Sequence, residues 1–212
     1  MNRQVESFKA SLLKIPGFID EDGVLHHEFK RGNHGRKMDF GTVRKGMPQY
    51  SAWVKQNKRA IRERYSYEQE LYIVGVESGT TELAFDVAEA LGNFAVGLRT
   101  EKLPDNSVRL SESARLLLRN YMQTKPARVI VLEDVGTTGF TSGNVVLETH
   151  QAGAEHSEVQ ITWKRSQDLQ FLDEHGIQHY AIIDDVVPSL RPEECEAYGD
   201  CSKGVRLVQY DR

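Results

Sequence analysis

The stretch at residues 129–141, VIVLEDVGTTGFT, runs from aliphatic residues through two adjacent acids into a segment of small residues. The aliphatic run is typical of a buried strand, and the pattern that follows predicts a helix from about Thr141 to Gln151. The backbone N–H groups of such a turn can converge on a phosphate at the N-terminus of the next helix. Glu133 and Asp134 can accept hydrogen bonds from neighbouring hydroxyl groups. The stretch therefore predicts a strand, loop and helix that bind a ribose 5-phosphate.

A strand-to-helix connection without any ligand is the alternative interpretation of this stretch. No Lys follows its second glycine, so it is not a Walker loop, and it lacks the three-glycine fingerprint of dinucleotide-binding folds. The alternative stays open on these residues alone.

The chain after residue 68 repeats the alternation of strand, loop and helix. Apolar runs predict strands at residues 71–76, 94–98, 128–132, 158–163 and 179–183. Helical patterns separate them, with one helix ending near Met122 and another at residues 167–175. This order predicts an α/β fold with a mainly parallel sheet flanked by helices, whose ligands bind at the carboxyl ends of the strands.

The two ends of the chain differ from this central part. Residues 1–67 contain many turn signals, short extended candidates at 24–29 and 37–40, and a helix that begins at Pro48. We divide the chain into residues 1–67, 68–190 and 191–212. The last part includes a strand-like segment at residues 205–210 and has no assigned role.

Composition excludes several classes of protein. The 212 residues carry 27 Lys and Arg against 31 Asp and Glu, a net charge of −4, which argues against general nucleic-acid binding. The sequence has no apolar run of membrane-spanning length and does not begin with a signal-like segment, so we expect a cytoplasmic protein without membrane contact. Cys195 and Cys201 are expected to be ordinary thiols, and His26, His27 and His34 to be solvated, with metal binding as the alternative for each group.

Several motifs together resemble the type I phosphoribosyltransferases, most closely the orotate phosphoribosyltransferases. LEDVGTTGFT resembles the family signature for 5-phosphoribosyl pyrophosphate (PRPP), and GVESGT at residues 75–80 resembles the pyrophosphate loop. Residues 29–40 resemble the small N-terminal hood that covers the base, and Arg165 lies where the family places an arginine near the orotate carboxylate. The resemblance spans roughly residues 8–187.

The resemblance implies a role for each matching residue. The catalytic residues would be Asp134, Glu133 and Lys102. The 5-phosphate of PRPP would be bound by Gly136, Thr137, Thr138, Gly139, Phe140 and Thr141. The pyrophosphate would be bound by Lys30, Glu77, Ser78, Gly79, Thr80 and Arg99. The base would be contacted by Phe40 and Arg165. Mg²⁺ would be held through PRPP and water, with no direct protein ligand, and the protein would be a homodimer.

The implied reaction transfers ribose 5-phosphate from PRPP to a nucleobase, with orotate as the favoured acceptor, and releases pyrophosphate. The catalytic loop of the family carries a His-Gly that is missing from the matching residues 97–106. This departure keeps open a regulator that senses PRPP or a nucleotide without turnover. A phosphoribosyltransferase for a different base also stays open.

Overall fold

The described part of the protein contains a large parallel sheet, a small four-stranded sheet and a two-stranded hairpin. The computed structural model describes residues 3–20, 24–29, 33–66, 70–92, 94–105, 107–122 and 127–209. The helices are α1 (Arg3–Leu12), α2 (Pro48–Arg62), α3 (Glu77–Leu91), α4 (Glu112–Met122), α5 (Phe140–Gln151), α6 (Gln170–Glu174) and α7 (Pro192–Tyr198). The strands are β1 (Leu25–Glu28), β2 (His34–Gly35), β3 (Leu71–Gly75), β4 (Ala95–Leu98), β5 (Thr100–Lys102), β6 (Val108–Leu110), β7 (Arg128–Gly136), β8 (His156–Lys164), β9 (His179–Asp184), β10 (Ser189–Leu190) and β11 (Arg206–Val208).

The large sheet has five strands in the order β4-β3-β7-β8-β9, and all of its neighbours are parallel. Side chains alternate between its two faces, so that Ile73 and Ile130 pack on one face and Val74 and Val131 on the other. Helices α1, α2 and α3 cover the first face, and α4, α5 and α6 cover the second. The predicted α/β architecture with a mainly parallel sheet is confirmed.

The predicted helices are present, with some shifts at their ends. α2 begins at Pro48 as expected, α4 ends at Met122 as expected, and α6 is restricted to Gln170–Glu174. Across the part of the chain that the structure describes, no helix has both the length and the apolar character that crossing a membrane requires.

The small sheet joins the two ends of the chain. Its order is β10-β2-β1-β11, with β1 parallel to β11 and antiparallel to β2. The C-terminal residues thus complete a sheet that the N-terminal hairpin begins, and we call these four strands the hood sheet. His26 and His34 are buried between this sheet and the C-terminal residues, so the expectation that they are solvated is wrong.

One other local expectation fails, and one feature of the structure was not predicted. Residues 37–40 form only one bridge, between Ile19 and Met38, because the backbone turns into a 3-10 helix (Phe40–Thr42) that Asp39 caps. The polar stretch after β4 contains the antiparallel hairpin of β5 and β6. The sequence did not reveal this hairpin, because its strands are rich in charge and only three residues long.

A buried ion pair connects α2 to the sheet. The guanidinium of Arg64, just after α2, donates to Glu158 on β8 at 2.8 Å and to the side chain of Gln160 at 2.7 Å. The hydroxyl of Tyr65 also donates to Glu158, and burial together with this carboxylate raises the pKa of Tyr65 to about 12. Glu158 is almost fully buried, so its charge depends on these partners.

We predict that Arg64→Met lowers the free energy of unfolding by about 3 kcal/mol. The Glu158 carboxylate would stay buried without its cation and keep the hydrogen bond from Tyr65. Urea denaturation measures the change. The control is Arg59→Met, which breaks an exposed pair with Glu63 and should cost less than about 1 kcal/mol. Equal losses for the two variants would contradict the assignment.

Candidate functional site

A cavity of about 850 Å³ lies where the large sheet meets the hood sheet. One wall is the turn between β7 and α5, which contributes Thr137, Thr138 and Thr141. The opposite wall includes Phe29, which follows β1, and Arg165 forms part of the cavity just beyond β8. The cavity thus occupies the carboxyl ends of β7 and β8, where parallel sheets place their ligands.

The turn between β7 and α5 is held in one conformation by its contacts with α6. Gly139, which precedes α5, has a left-handed backbone with φ of 70°. A Cβ at Gly139 would lie 2.4 Å from Cγ of Leu172, so a larger residue would not fit. The N–H of Phe171 donates to the carbonyl of Thr138 at 3.0 Å. These contacts present threonine hydroxyls and the N-terminus of α5 to the cavity, as an anion site requires.

Glu133 and Asp134 point to different sides of β7, as alternation along a strand dictates. Glu133 accepts a hydrogen bond from the hydroxyl of Ser142 on α5 at 2.5 Å. Asp134 lies on the side of the predicted pyrophosphate loop, because its Oδ2 is 3.5 Å from the position that a Cβ on Gly79 would take. Sequence reasoning did not single out Ser142, although its place three residues after Gly139 at the start of α5 is a signal for it.

The loop at residues 75–80 forms the close connection between β3 and α3. Gly75 lies so close to Thr80 that a Cβ would be 2.2 Å from the Thr80 carbonyl oxygen. Thr80 is fully buried and its hydroxyl donates to the carbonyl of Val76, so this side chain supports the loop itself. Lys30 and the side chains of Glu77 and Ser78 lie outside the described residues.

Arg165 is a buried cation without a full set of partners. Its side chain is 3% exposed, and its Nε and Nη2 atoms make no hydrogen bond with the part of the chain that the structure describes. Its guanidinium carbon lies 4.6 Å from the ring centre of Phe29. Burial lowers the pKa of Arg165 to about 10, so the group stays charged at neutral pH. A buried cation that lines a cavity is suited to an anionic or strongly polar ligand.

Phe40 does not lie in the cavity, and the prediction that it contacts the base is wrong. It is 2% exposed and packs against Phe18 and Trp53, with ring centres 4.9 and 4.7 Å away. The 3-10 turn after Asp39 directs it into the core. Phe29 supplies the aromatic ring of the cavity, at the other end of the segment in which the sequence analysis sought it.

The structure does not bring Arg99 and Lys102 to the cavity. The guanidinium of Arg99 lies over the ring of Phe85 at 5.3 Å. Phe85 is six residues beyond Gly79 on α3, or about 9 Å along the helix. Lys102 is exposed at the end of β5. Arg99 and Lys102 can therefore have their predicted roles only if the hairpin of β5 and β6 moves toward the cavity, or if it contributes to the cavity of a neighbouring chain.

Comparisons with known proteins identify the fold. No protein-family model matches the sequence, and no curated protein matches it either. Among solved structures, the orotate phosphoribosyltransferase of Aeropyrum pernix is similar over 82% of this chain and 92% of its own, with a TM-score of 0.61 and 16% identity.

Two further structures are similar to this chain. The orotate phosphoribosyltransferase of Mycobacterium tuberculosis H37Rv, in complex with PRPP, has a TM-score of 0.57 and 14% identity over 85% of this chain and 95% of its own. The adenine phosphoribosyltransferase of Saccharomyces cerevisiae, complexed with adenine, has a TM-score of 0.58 and 16% identity over 84% of this chain and 99% of its own. With its parallel sheet, flanking helices and hood, the chain therefore has the fold of the type I phosphoribosyltransferases.

Proposed function

We propose that this protein transfers ribose 5-phosphate from PRPP to a nucleobase and releases pyrophosphate, with orotate as the favoured acceptor. The observation that carries the proposal is the pairing, in one cavity, of the threonine-rich turn before α5 with the buried and incompletely partnered Arg165. The turn suits a phosphate, and the guanidinium suits a carboxylate.

The ribose 5-phosphate end of PRPP fits the junction of β7 and α5. Thr137, Thr138 and Thr141 offer hydroxyl and backbone donors to the phosphate, with Gly136, Gly139 and Phe140 shaping the turn. Glu133 and Asp134 are the acceptors for the ribose hydroxyl groups. The pyrophosphate group would then extend toward Gly79, on the side of Asp134.

Arg165 supports orotate over a base without a carboxylate. Structures of orotate and adenine phosphoribosyltransferases resemble this chain about equally, so the fold does not select the base. A guanidinium can donate two parallel hydrogen bonds to a carboxylate, and Arg165 lines the cavity just beyond β8. The ring of Phe29 beside the guanidinium offers a surface for the flat base.

In the proposed reaction a nitrogen of the base forms a bond to C1 of the ribose as the bond from C1 to the pyrophosphate oxygen breaks. Asp134 is the candidate for taking the proton from the incoming base. Arg99, Lys102 and Lys30 would balance the negative charge on the departing pyrophosphate. Lys102 does not line the cavity of its own chain. The proposal therefore includes either closure of the hairpin over the cavity or a homodimer in which Lys102 acts in the cavity of the neighbouring chain.

Mg²⁺ is the proposed cofactor, bound through the pyrophosphate, ribose hydroxyls and water. Asp134, partly buried and next to the loop at residues 75–80, fits a substrate that carries a divalent cation on its phosphates. The ion would supply positive charge to the leaving group.

A regulator that binds PRPP or a nucleotide without turnover is the second candidate function. The position of Arg99 on Phe85 favours it, since this cation is then held away from the pyrophosphate loop. The candidates differ in whether the protein releases pyrophosphate at all.

We predict that the purified protein releases pyrophosphate from PRPP and Mg²⁺ when orotate is present. A coupled pyrophosphate assay, with orotate, adenine, uracil and other bases supplied one at a time, measures the rate. Release with a different base only would overturn the choice of orotate. Binding of PRPP without release for any base would favour the regulator.

We predict that Arg165→Met raises KM for orotate by at least about tenfold, the expected effect of losing charge-assisted hydrogen bonds, while KM for PRPP changes little. Lys164→Met is the matched control, because this neighbour faces Asp184 and does not line the cavity. Unchanged KM for orotate in Arg165→Met would show that no carboxylate is recognised there. Thermal stability should not fall, since the variant removes an incompletely paired buried charge.

We predict that Lys102→Ala lowers kcat about 100-fold, as expected for loss of a cation that stabilises charge in the transition state. Isothermal titration should show PRPP binding nearly retained. Arg109→Ala is the control on the same hairpin, because Arg109 pairs with Glu101 on the opposite strand. Equal rates for Lys102→Ala and the parent protein would remove Lys102 from the mechanism.

A further inference from the structure

Four metal-ligating side chains meet beside the hood sheet, away from the cavity. Their ligand atoms all lie within 4.8 Å of one another. The four residues, which we call the His–Cys cluster, are His26, His34, Cys195 and Cys201. They come from opposite ends of the chain, and three of them are buried.

The strand pairing explains why both histidines face the same way. His34 is opposite Glu28 in the antiparallel pair of β1 and β2, and His26 is two residues before Glu28. Residues two apart on a strand share a face, so His26 and His34 point together toward the C-terminal residues. Their neighbours His27 and Gly35 occupy the other face, and His27 lines the cavity.

The cysteines reach this face through a tight turn after α7. Cys195 is on α7, and Cys201 begins the 3-10 helix Cys201–Lys203. Gly199 allows the turn between them, because a Cβ there would lie 2.8 Å from Cα of Cys195. The backbone N–H of Cys201 donates to Sγ of Cys195 at 3.3 Å. An N–H donor of this kind stabilises a sulfur that carries negative charge.

The spacing of the ligand atoms matches a tetrahedral zinc site. Zn–S bonds of about 2.3 Å and Zn–N bonds of about 2.0–2.1 Å give ligand-to-ligand distances of about 3.3–3.8 Å. Nε2 of His26 is 3.2 Å from Sγ of Cys201 and 3.7 Å from Sγ of Cys195. Nδ1 of His34 is 3.3 Å from Sγ of Cys201. Both cysteines are free thiols and do not form a disulfide.

The polar atoms of His26 are poorly satisfied without a metal. His26 is fully buried, and its Nδ1 makes no hydrogen bond with any residue that the structure describes. Its Nε2 faces only two sulfur atoms, which are weak hydrogen-bonding partners. Two nitrogen and two sulfur ligands within 4.8 Å of one another favour zinc among the common metals.

We infer that the His–Cys cluster binds one Zn²⁺ ion, which ties the C-terminal residues to the N-terminal hairpin and holds the hood sheet in shape. All four positions of the ion are taken by protein, so the site is structural. The sheet separates the ion from the cavity, but the ion can affect the position of Arg165 through β2. A Cβ at Gly35, next to His34, would lie 3.3 Å from Nη2 of Arg165. This inference does not depend on the proposed transferase function.

Metal analysis of the full-length protein, purified under reducing conditions without chelators, tests the inference. We expect about one zinc per chain by mass spectrometry of the metal. Replacement by Co²⁺ should produce the strong visible absorption of a tetrahedral site and a sulfur-to-metal charge-transfer band. Extraction with a chelator should lower the melting temperature and expose both thiols to a thiol reagent, and added Zn²⁺ should reverse both effects.

Variants locate the ion. Cys201→Ser should weaken zinc binding more than about 100-fold in competition with a coloured chelator, because losing a direct ligand costs more than losing an outer partner. His27→Ala is the matched control, since His27 is next to His26 but faces the cavity and should leave zinc content unchanged.

Three results would overturn the inference. One is reduced wild-type protein that takes up no zinc when Zn²⁺ is added. A second is zinc content that Cys201→Ser leaves unchanged, which would place the ion elsewhere. The third is an intact mass showing a Cys195–Cys201 disulfide in the purified protein. The cobalt spectrum and the thiol protection need only the wild-type chain, so they test zinc binding by the His–Cys cluster even if Cys201→Ser does not fold.

Discussion

The position of β7 in the centre of the large sheet is the constraint on which the rest of the structure depends. β7 is hydrogen-bonded in parallel to β3 on one edge and to β8 on the other. These two sets of bonds fix where the strand ends. The end of the strand in turn fixes the positions of Glu133, Asp134 and the turn before α5. The contact between Gly139 and Leu172 then leaves the turn one conformation. The turn at this end of the candidate site is closely packed against α6.

The opposite wall of the cavity is formed by a sheet that is less stable by itself. The hood sheet consists of strands of two to four residues, drawn from residues 25–35 and 189–208. Sheets this small are marginal without further support. The His–Cys cluster lies at the place where such support is needed, since it joins β1 and β2 to the segment that ends in β11. A metal there would keep β2 against Arg165, and the shape of the base end of the cavity would then depend on an ion on the far side of the sheet.

Arg165 is buried, and its Nε and Nη2 atoms have no hydrogen-bond partner among the residues that the structure describes. Burying donors without partners destabilises the folded protein. The contact of the guanidinium with the ring of Phe29 offsets part of this cost. By contrast, the partly buried Arg64 donates to Glu158 and Gln160 and has a structural role in joining α2 to the sheet.

The sequence by itself determined the parallel sheet, the turn at residues 136–141 and the acids that precede it. These features depend on contiguous residues, so periodicity and turn chemistry reveal them. Only the tertiary structure decided that Phe40 belongs to the core and Phe29 to the cavity, because Phe40 packs against Phe18 and Trp53, which come from other parts of the chain. Only the tertiary structure joined the histidines to the cysteines. Their separation of 161 to 175 residues carries no local signal, and β1 meets β11 through hydrogen bonds that no spacing in the sequence records.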